Sequence, residues 1–463
     1  MKLLLIAPAS GKWRHVGRSR WFSGKTFRFS LLSLLSVAAE TPKDVQVRLV
    51  DEQVEDIPWN ESFDLVGITC MTALAPRAYE IADRFRVLGT PVVLGGMHPT
   101  FLPEEALLHA DAVVVGEAEG IWEGVIADAR AGRMHGIYQG GVDRGLAGLK
   151  HPPHHLLKGK HYATVHAVQA TRGCPHQCAF CAVSAFNHGT QRQRPVDEVV
   201  QEVSEIPHRF FIFVDDNLTA DREYAMSLFR ALQPLNKLWV TQSTLGIARD
   251  KEMIVLAAKA GCVGLFVGLE TFTEKNLTSV NKTCHQVEEY QHCVSELHRH
   301  GIGVEAGIVL GMGYDTPGTF EKTLEVLEQL QIDAIQVSVF TPVPGTPQYQ
   351  TMQSKITDHD WAHYDFHHVV FQPEGLSAEA LQAGHDWLTQ EFYKPWRILR
   401  RLVRHMTRPR ALSGLPFVAS VNFAYLGRVL RWGIKGFNPA YVSAKALRVP
   451  ERRLETVKNR AGV

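Results

Sequence analysis

Three cysteines in one short run, Thr171-Arg-Gly-Cys174-Pro-His-Gln-Cys178-Ala-Phe180-Cys181, carry the most specific chemistry in the chain. Spaced by three and then two residues, Cys174, Cys178 and Cys181 can face one iron–sulfur cluster and leave one iron without a protein thiolate. An all-cysteine [4Fe–4S] site takes four thiolates, so three predict an open iron. An open metal position is where a substrate or cosubstrate binds. Two other readings compete: a structural zinc site completed by His176 or His188, and three unrelated buried thiols. The first wants a nearby fourth ligand, and the second sits badly with the polar Pro-His-Gln between the thiols.

The spacing, with Phe180 before the last cysteine and Arg172-Gly173 as lead-in, resembles the radical S-adenosylmethionine (SAM) superfamily. That resemblance implies a partial (β/α)6 barrel over residues 166–350 with the cluster loop after its first strand. Apolar runs fit six strands at Ala167–Ala170, Phe210–Val214, Leu238–Ser243, Leu265–Leu269, Val304–Leu310 and Ile335–Phe340. Helical patterns fall between them, at Val196–Glu205, Arg222–Leu232, Lys251–Ala260, Val287–His300 and Thr319–Leu330. Strand carboxyl ends carry the chemistry of such architectures. Polar groups recur there: Asp215-Asp216-Asn217, Gln242-Ser243 and Glu270 are candidate contacts to the ammonium, carboxylate or ribose of SAM. Phe180 joins them, and Gly307-Ile-Val-Leu-Gly311 resembles the family's fifth-strand motif beside adenine. Pro342-Val-Pro-Gly-Thr-Pro347 resembles the turn after the sixth strand in cobalamin-type relatives. Cys70 and Cys262 read as core, and Cys284 with Cys293 supplies too few ligands for a second cluster.

Residues 1–140 alternate strand and helix on their own. Buried-strand patterns lie at Leu3–Ile6, Val45–Val50, Leu65–Thr69, Val92–Leu94 and Ala112–Val115, and helical ones at Leu31–Ala39, Tyr79–Val87, Glu104–His109 and Ile121–Ala129. This order predicts a doubly wound parallel sheet with ligands at strand carboxyl ends. Ala7-Pro-Ala-Ser-Gly-Lys lacks the dinucleotide glycine fingerprint, which disfavours a nicotinamide cofactor. Phe63–Thr69, Val92–Thr100 and Asp111–Glu119 resemble the cobalamin-binding domain that precedes some radical SAM barrels. The resemblance implies a cobalamin site at Thr69, Thr72, Gly95, Gly96, Gly116 and Glu117, the glycines letting backbone approach a flat ligand. The D-x-H-x-x-G motif is absent, as in many radical SAM relatives, and His98 reads as a loop histidine. Residues 141–165, from Gly141 through His151-Pro-Pro-His-His155, read as a linker, and 351–463 as a mainly helical basic region.

Together these predict an α/β enzyme holding a [4Fe–4S] cluster, SAM and cobalamin. The resemblance implies methylation of an unactivated carbon, with one SAM giving the methyl group by way of cobalamin and a second giving a 5′-deoxyadenosyl radical. Radical cyclisation, rearrangement or C–C coupling without methyl transfer is the alternative. The expected partners are a small hydrophobic substrate, lipid-like or tetrapyrrole, and an electron donor such as flavodoxin or ferredoxin. Relatives acting on hopanoids and bacteriochlorophylls set that substrate class.

Length, 463 residues, and 45% hydrophobic content suit two substantial cores, and seven cysteines suggest a reducing, cytoplasmic compartment. The apolar Met1–Pro8 run is too short for a signal peptide and is followed by Lys12, Arg14 and Arg18. No apolar stretch is long enough to span a bilayer. A net charge of +1 conceals a split: Lys394–Val463 holds sixteen Lys/Arg against Glu451 and Glu455, a balance of +14, leaving −13 for the rest. Such a tail suits an anionic surface. It lacks aromatic interleaving or an RNA module, so nucleic acid is disfavoured, and peripheral contact with the inner membrane face is one of two readings. The competing reading is a helical cap, since Trp396 and Leu399 at helical spacing also suit a core.

Overall fold

The computed structural model describes residues 1–9, 30–142, 144–158, 162, 164–282, 284 and 286–436, with side chains described as far as residue 430. Lys12, Arg14, Arg18, Glu451 and Glu455, and the side chains of Arg431 and Trp432, lie outside what is described.

The N-terminal sheet follows from five runs whose residues are apolar at consecutive positions, as strands covered on both faces require. β1 (Lys2–Ala7), β2 (Gln46–Asp51), β3 (Leu65–Thr69), β4 (Val92–Gly95) and β5 (Ala112–Val115) are joined by a sixth, β6 (Gly136–Gln139). The order is β2-β1-β3-β4-β5-β6, all parallel. Helices α1 (Leu32–Glu40), α2 (Ala75–Val87), α3 (Met97–Phe101), α4 (Pro103–His109) and α5 (Trp122–Arg130) divide between the faces. One core packs α2 and α4 on Leu4, Val66 and Leu94; the other packs α1 and α5 on Leu5, Leu65 and Val93. β6 went unread because its alternating Ile137 and Tyr138 are only partly covered and it lies at the sheet edge.

The second sheet is the expected open barrel. β7 (Ala167–Val168) is followed by an antiparallel pair, β8 (Thr171–Gly173) with β9 (Gln191–Gln193), flanking α6 (Ala182–Phe186). Then come α7 (Val196–Glu205), β10 (Phe210–Phe213), α8 (Arg222–Leu232), β11 (Leu238–Ser243), α9 (Lys251–Lys259) and β12 (Cys262–Glu270). Next are α10 (Glu274–Ser279), α11 (Tyr290–Arg299), β13 (Gly303–Leu310), α12 (Thr319–Gln329), β14 (Ala334–Val339) and α13 (Pro347–Met352). Strand order β14-β13-β12-β11-β10-β7 follows the chain, every neighbour parallel. Outward positions Leu265, Val267 and Leu269 bury against the helices, while the inward Gly264, Phe266 and Gly268 line a lumen.

Three helices close the described chain: α14 (Ala378–Phe392), α15 (Pro395–Met406) and α16 (Ala411–Gly436). α16 stops the amino-terminal end of the lumen. Gly264 and Gly303 lie opposite each other at the starts of β12 and β13, and Phe417 fills the space their missing side chains leave. A Cβ on Gly264 would stand 2.3 Å from the Phe417 ring. Higher up, Tyr425 donates to Glu305 at 3.0 Å and stacks on Tyr393. No described helix is long and apolar enough to cross a membrane.

Candidate functional site

The cysteine loop is held at both ends by backbone geometry. Gly173 ends β8 at φ +86°, and a Cβ there would stand 2.2 Å from the Thr190 carbonyl, so glycine is required. Beyond it the loop is pinned from several elements: Ala179 N–H to the Val280 carbonyl at 3.0 Å, Gln348 N–H to the Ala179 carbonyl at 3.0 Å, and the Asn281 amide to the Gln177 carbonyl at 2.9 Å. The three thiols are half-buried, and the Asn217 amide donates to Cys174 Sγ at 3.7 Å. Burial pushes the Cys178 thiol up to about 12, and Cys181, Cys284 and Glu270 add to the rise against the pull of Lys282. Burial likewise raises Cys174, helped by Cys181 and Asp216. Thiolates that repel one another in this way suit a positively charged iron cluster, which cancels the repulsion as the protons leave.

Among the described residues no three His, Cys, Asp or Glu side chains converge as a single ion needs. His188 is exposed in a turn and His176 engages Ser184 Oγ through its carbonyl at 2.6 Å.

The polar groups around the loop divide into those already used and those still free for a ligand. Asp215, wholly buried, accepts from Ala170 N–H at 3.1 Å, from Thr171 N–H, and from Thr171 Oγ1 at 2.8 Å. Burial raises its pKa to about 7 despite these donors. It fastens β10 to the start of the cysteine loop, with Oδ1 taken by these donors and Oδ2 meeting only the Ala170 N–H at 3.2 Å. Ser243 is also engaged, by Thr219 at 2.5 Å and the Thr244 carbonyl at 3.1 Å. Gly311, at φ +95°, leaves room for Leu381 of α14, 2.5 Å from where its Cβ would lie. Gly307 faces the Phe266 ring, 3.0 Å from its missing Cβ. Phe180 packs edge-on to Phe340 with centroids 6.3 Å apart.

The free groups lie on the lumen side. Asp216 accepts from Gly173 N–H at 3.0 Å through one oxygen, and burial raises its pKa. Asn217 is 2% exposed, and its Oδ1 has no partner among the described residues. Gln242 is exposed on the lumen wall. Glu270 adopts φ +64° at a register shift that ends β12, and its carboxylate folds over Gly268 onto Lys282. Burial works against the Lys282 ammonium, but Glu270 and Cys178 hold its pKa above the ordinary value. Lys282 was not anticipated; its signal was the twelve-residue spacing to Glu270, which nothing local marks. An orphaned acceptor, a carboxylate and an ammonium beside the thiols form a donor set suited to the amino and carboxylate ends of SAM.

At the other sheet, Thr69, half-buried, ends β3, Thr72, buried, follows it, and Gly95 ends β4 with ordinary 3.8 Å room for a Cβ. Gly96 (φ +105°) and Gly116 (φ +77°) are glycine for a different reason than expected. A Cβ on either would meet backbone of this same chain at 2.8 Å, the Cys70 and Gly140 carbonyls, so the fold itself demands them. His98 lies in α3, fully buried, with Nε2 3.1 Å from Tyr79 Oη and from Glu105. It is a core histidine rather than a loop one. Glu117 accepts from Arg192 at 2.5 Å and pairs with Arg172 at 3.2 Å, while Arg172 also reaches Glu119 at 2.6 Å. The candidate cobalamin contact at Glu117 is thus occupied by arginines from beside the cysteines.

These pairs join the carboxyl ends of the two sheets. Phe101 of α3 sits over Gly345, in the turn after β14, and its ring meets Phe186 of α6 with centroids 6.4 Å apart. Trp361 donates to Glu105 at 3.0 Å from the segment beyond α13. The cysteine loop and the β3–β5 ends consequently meet at one junction.

Comparison with known proteins agrees with this geometry. Residues 168–327 match the radical SAM superfamily model, and residues 34–126 match the B12 binding domain. The chain is 32% identical over 387 residues to bacteriochlorophyllide d C-12(1)-methyltransferase of Chlorobaculum tepidum, covering 80% of this chain and 84% of that one. It is 28% identical over 415 residues to the C-8(2)-methyltransferase of the same organism, covering 83% and 88%. A radical SAM methyltransferase of Kitasatospora setae, solved with cobalamin and a [4Fe–4S] cluster, superposes with a TM-score of 0.59 at 17% identity over 76% of this chain and 78% of that one, a likeness of fold.

Proposed function

Because the chain belongs to the cobalamin-dependent radical SAM methyltransferase family, we propose that it methylates an unactivated carbon of a small, flat, hydrophobic metabolite, a tetrapyrrole by preference. The single observation that carries this reading is the Arg172 bridge. The residue two places before Cys174 is clamped by Glu117 and Glu119 from the loop after β5, which supports a reading in which the two strand ends present their cofactors to each other. The bacteriochlorophyllide substrates of the relatives point to the tetrapyrrole class.

The cluster would supply the one electron that opens the S–C5′ bond of SAM, and cobalamin would carry the methyl group. This chain's own residues bind and orient. Cys174, Cys178 and Cys181 would hold the cluster. Asn217 Oδ1 and Asp216 would accept from the SAM ammonium, and Lys282, already paired with Glu270, would meet its carboxylate. Glu270 and Gln242 would meet the ribose hydroxyls. Thr69, Thr72 and Gly95 would face cobalamin across the junction. Phe180, Phe340 and Phe266 would keep water from the radical. An electron donor such as flavodoxin or ferredoxin completes the reaction, and contact of the basic C-terminal region with a membrane would keep the enzyme near a hydrophobic substrate.

The test is anaerobic incubation of protein loaded with both cofactors with SAM, a reductant and a panel of bacteriochlorophyllide-type tetrapyrroles. Methylation consumes two SAM per turnover, giving S-adenosylhomocysteine and 5′-deoxyadenosine in equal amounts. 5′-Deoxyadenosine alone, with a product of unchanged carbon count, would favour radical cyclisation or rearrangement instead.

A further inference from the structure

Helix α15 has two unlike faces. Inward, Ile398, Arg401 and His405 are buried, and Arg401 lies 4.0 Å over the Phe392 ring while donating to Asn422 at 2.7 Å. Outward, Trp396, Leu399, Val403 and Met406 are 53%, 63%, 59% and 49% exposed. At 3.6 residues per turn these four fall within about 80° of arc, one continuous apolar stripe. Leu412, at the start of α16, is 79% exposed.

α15 contains no acidic residue, and Arg400 and Arg404 follow the stripe along one border. Arg400 and Arg397 share Glu328, and Arg408 is held by Asp333. Burial, with the positive charge of Arg400 and Arg408 and against the pull of Glu328 and Asp333, lowers the pKa of Arg404. The sequence beyond α16, residues 437–463, adds six Lys/Arg against two Glu. The reading of the tail as a cap is therefore correct for α16 and incorrect for the outer face of α15.

We propose that this outer face docks on an anionic lipid bilayer, seating Trp396, Leu399, Val403 and Met406 at the headgroup–acyl boundary with Arg400 and Arg404 on lipid phosphates. A basic helix with an apolar stripe containing Trp is the form of an interfacial helix. A nucleic acid would leave the four apolar side chains against phosphodiester. A second copy of the same face would set Arg400 and Arg404 against their own kind. The partners of α15 and of the turn after it, Glu328, Asp333 and the His300 carbonyl bound by Arg410, all lie at the amino ends of β13 and β14. Docking thus holds the enzyme beside the membrane with the junction at the far end of the barrel. It does not open the barrel mouth to the bilayer. The inference rests on the proposed hydrophobic substrate for its purpose, not for its geometry.

The experiment is sedimentation of the full chain, loaded with both cofactors, with vesicles of phosphatidylcholine alone or mixed with phosphatidylglycerol. Binding is expected only to the anionic vesicles and should fall sharply between about 0.1 and 1 M salt, where the screening length drops from ~10 to ~3 Å. W396S/L399S should weaken it about tenfold or more, and R400Q/R404Q should reduce it to the level of neutral vesicles. Equal binding to both vesicles, binding to neither, or binding unaffected by W396S/L399S overturns the proposal, as does salt-sensitive binding to single-stranded RNA lost in the same variants. Circular dichroism confirms that the variants fold. SAM cleavage in the same samples reports on the methyltransferase reading separately, so either can fail while the other stands.

Discussion

Asp215 and Asp216 are chain neighbours whose side chains point opposite ways at the end of β10, and that alternation assigns them different work. Asp215 turns inward and is consumed by the Ala170 and Thr171 donors, while Asp216 and Asn217 border the cysteine loop. Removing a charge-assisted acceptor from buried donors costs about 1.5–3 kcal/mol, so Asp215→Ala should lower unfolding free energy by that much in urea denaturation. Asn217→Ala, in contrast, should leave stability nearly unchanged and weaken SAM roughly tenfold by equilibrium dialysis. Equal SAM affinity in the Asn217 variant would remove its orphaned carbonyl from the site. The cysteine spacing was legible in the sequence because it is local. The division of labour between Asp215 and Asp216 was not, since it depends on which face of β10 meets β7. Gly96 and Gly116 were legible as required glycines but not for what, because a positive φ and a ligand's approach leave the same trace in a sequence.

The strands were read from their apolar runs, and all five of the first sheet and all six of the barrel form where the runs lie. Elements with polar residues escaped: β8 and β9 are Thr-Arg-Gly and Gln-Arg-Gln, whose pairing is set by the loop they close. The fit of α16 into the barrel was equally hidden, because Phe417 answers glycines more than a hundred residues earlier. Gly264→Ala should cost about 1–3 kcal/mol by overpacking. Adding Phe417→Ala should recover part of that loss, measured as a double-mutant cycle; strict additivity would mean the ring does not occupy the space. Deeper in the same lumen, burial raises the Glu305 carboxyl from its ordinary 4.5 to about 7, against the Tyr425 hydroxyl and Arg428. A carboxyl raised on folding contributes stability that is present below pH 4.5 and lost as pH rises through 7. Wild type should lose about 3 kcal/mol more than Glu305→Gln between pH 4.5 and 8. Parallel stability curves for the two proteins would show that Glu305 titrates as an exposed acid.

Across the whole molecule, the N-terminal sheet and the barrel meet at their carboxyl ends, and buried charge fixes the junction. Arg172 and Arg192, both beside the cysteine loop, reach Glu117 and Glu119, all with side chains 14% exposed or less. Breaking a buried pair by removing one partner costs about 3–5 kcal/mol, enough to hold two domains in one orientation. Long-range pairs of this kind are invisible in a sequence, which explains why Glu117 read as a ligand contact. The central claim is that one chain holds the cluster on one side of this junction and cobalamin on the other. Anaerobic expression with cobalamin, followed by assay of iron, cobalamin and 5′-deoxyadenosine formation, tests it in the native protein and in the triple variant Cys174→Ala, Cys178→Ala, Cys181→Ala. The account predicts cluster iron and one cobalamin per native chain, and a triple variant that loses the iron and SAM cleavage while keeping cobalamin. Native protein that takes up no cobalamin when saturated with it, or a triple variant that still binds cluster iron and cleaves SAM at the native rate, would contradict it.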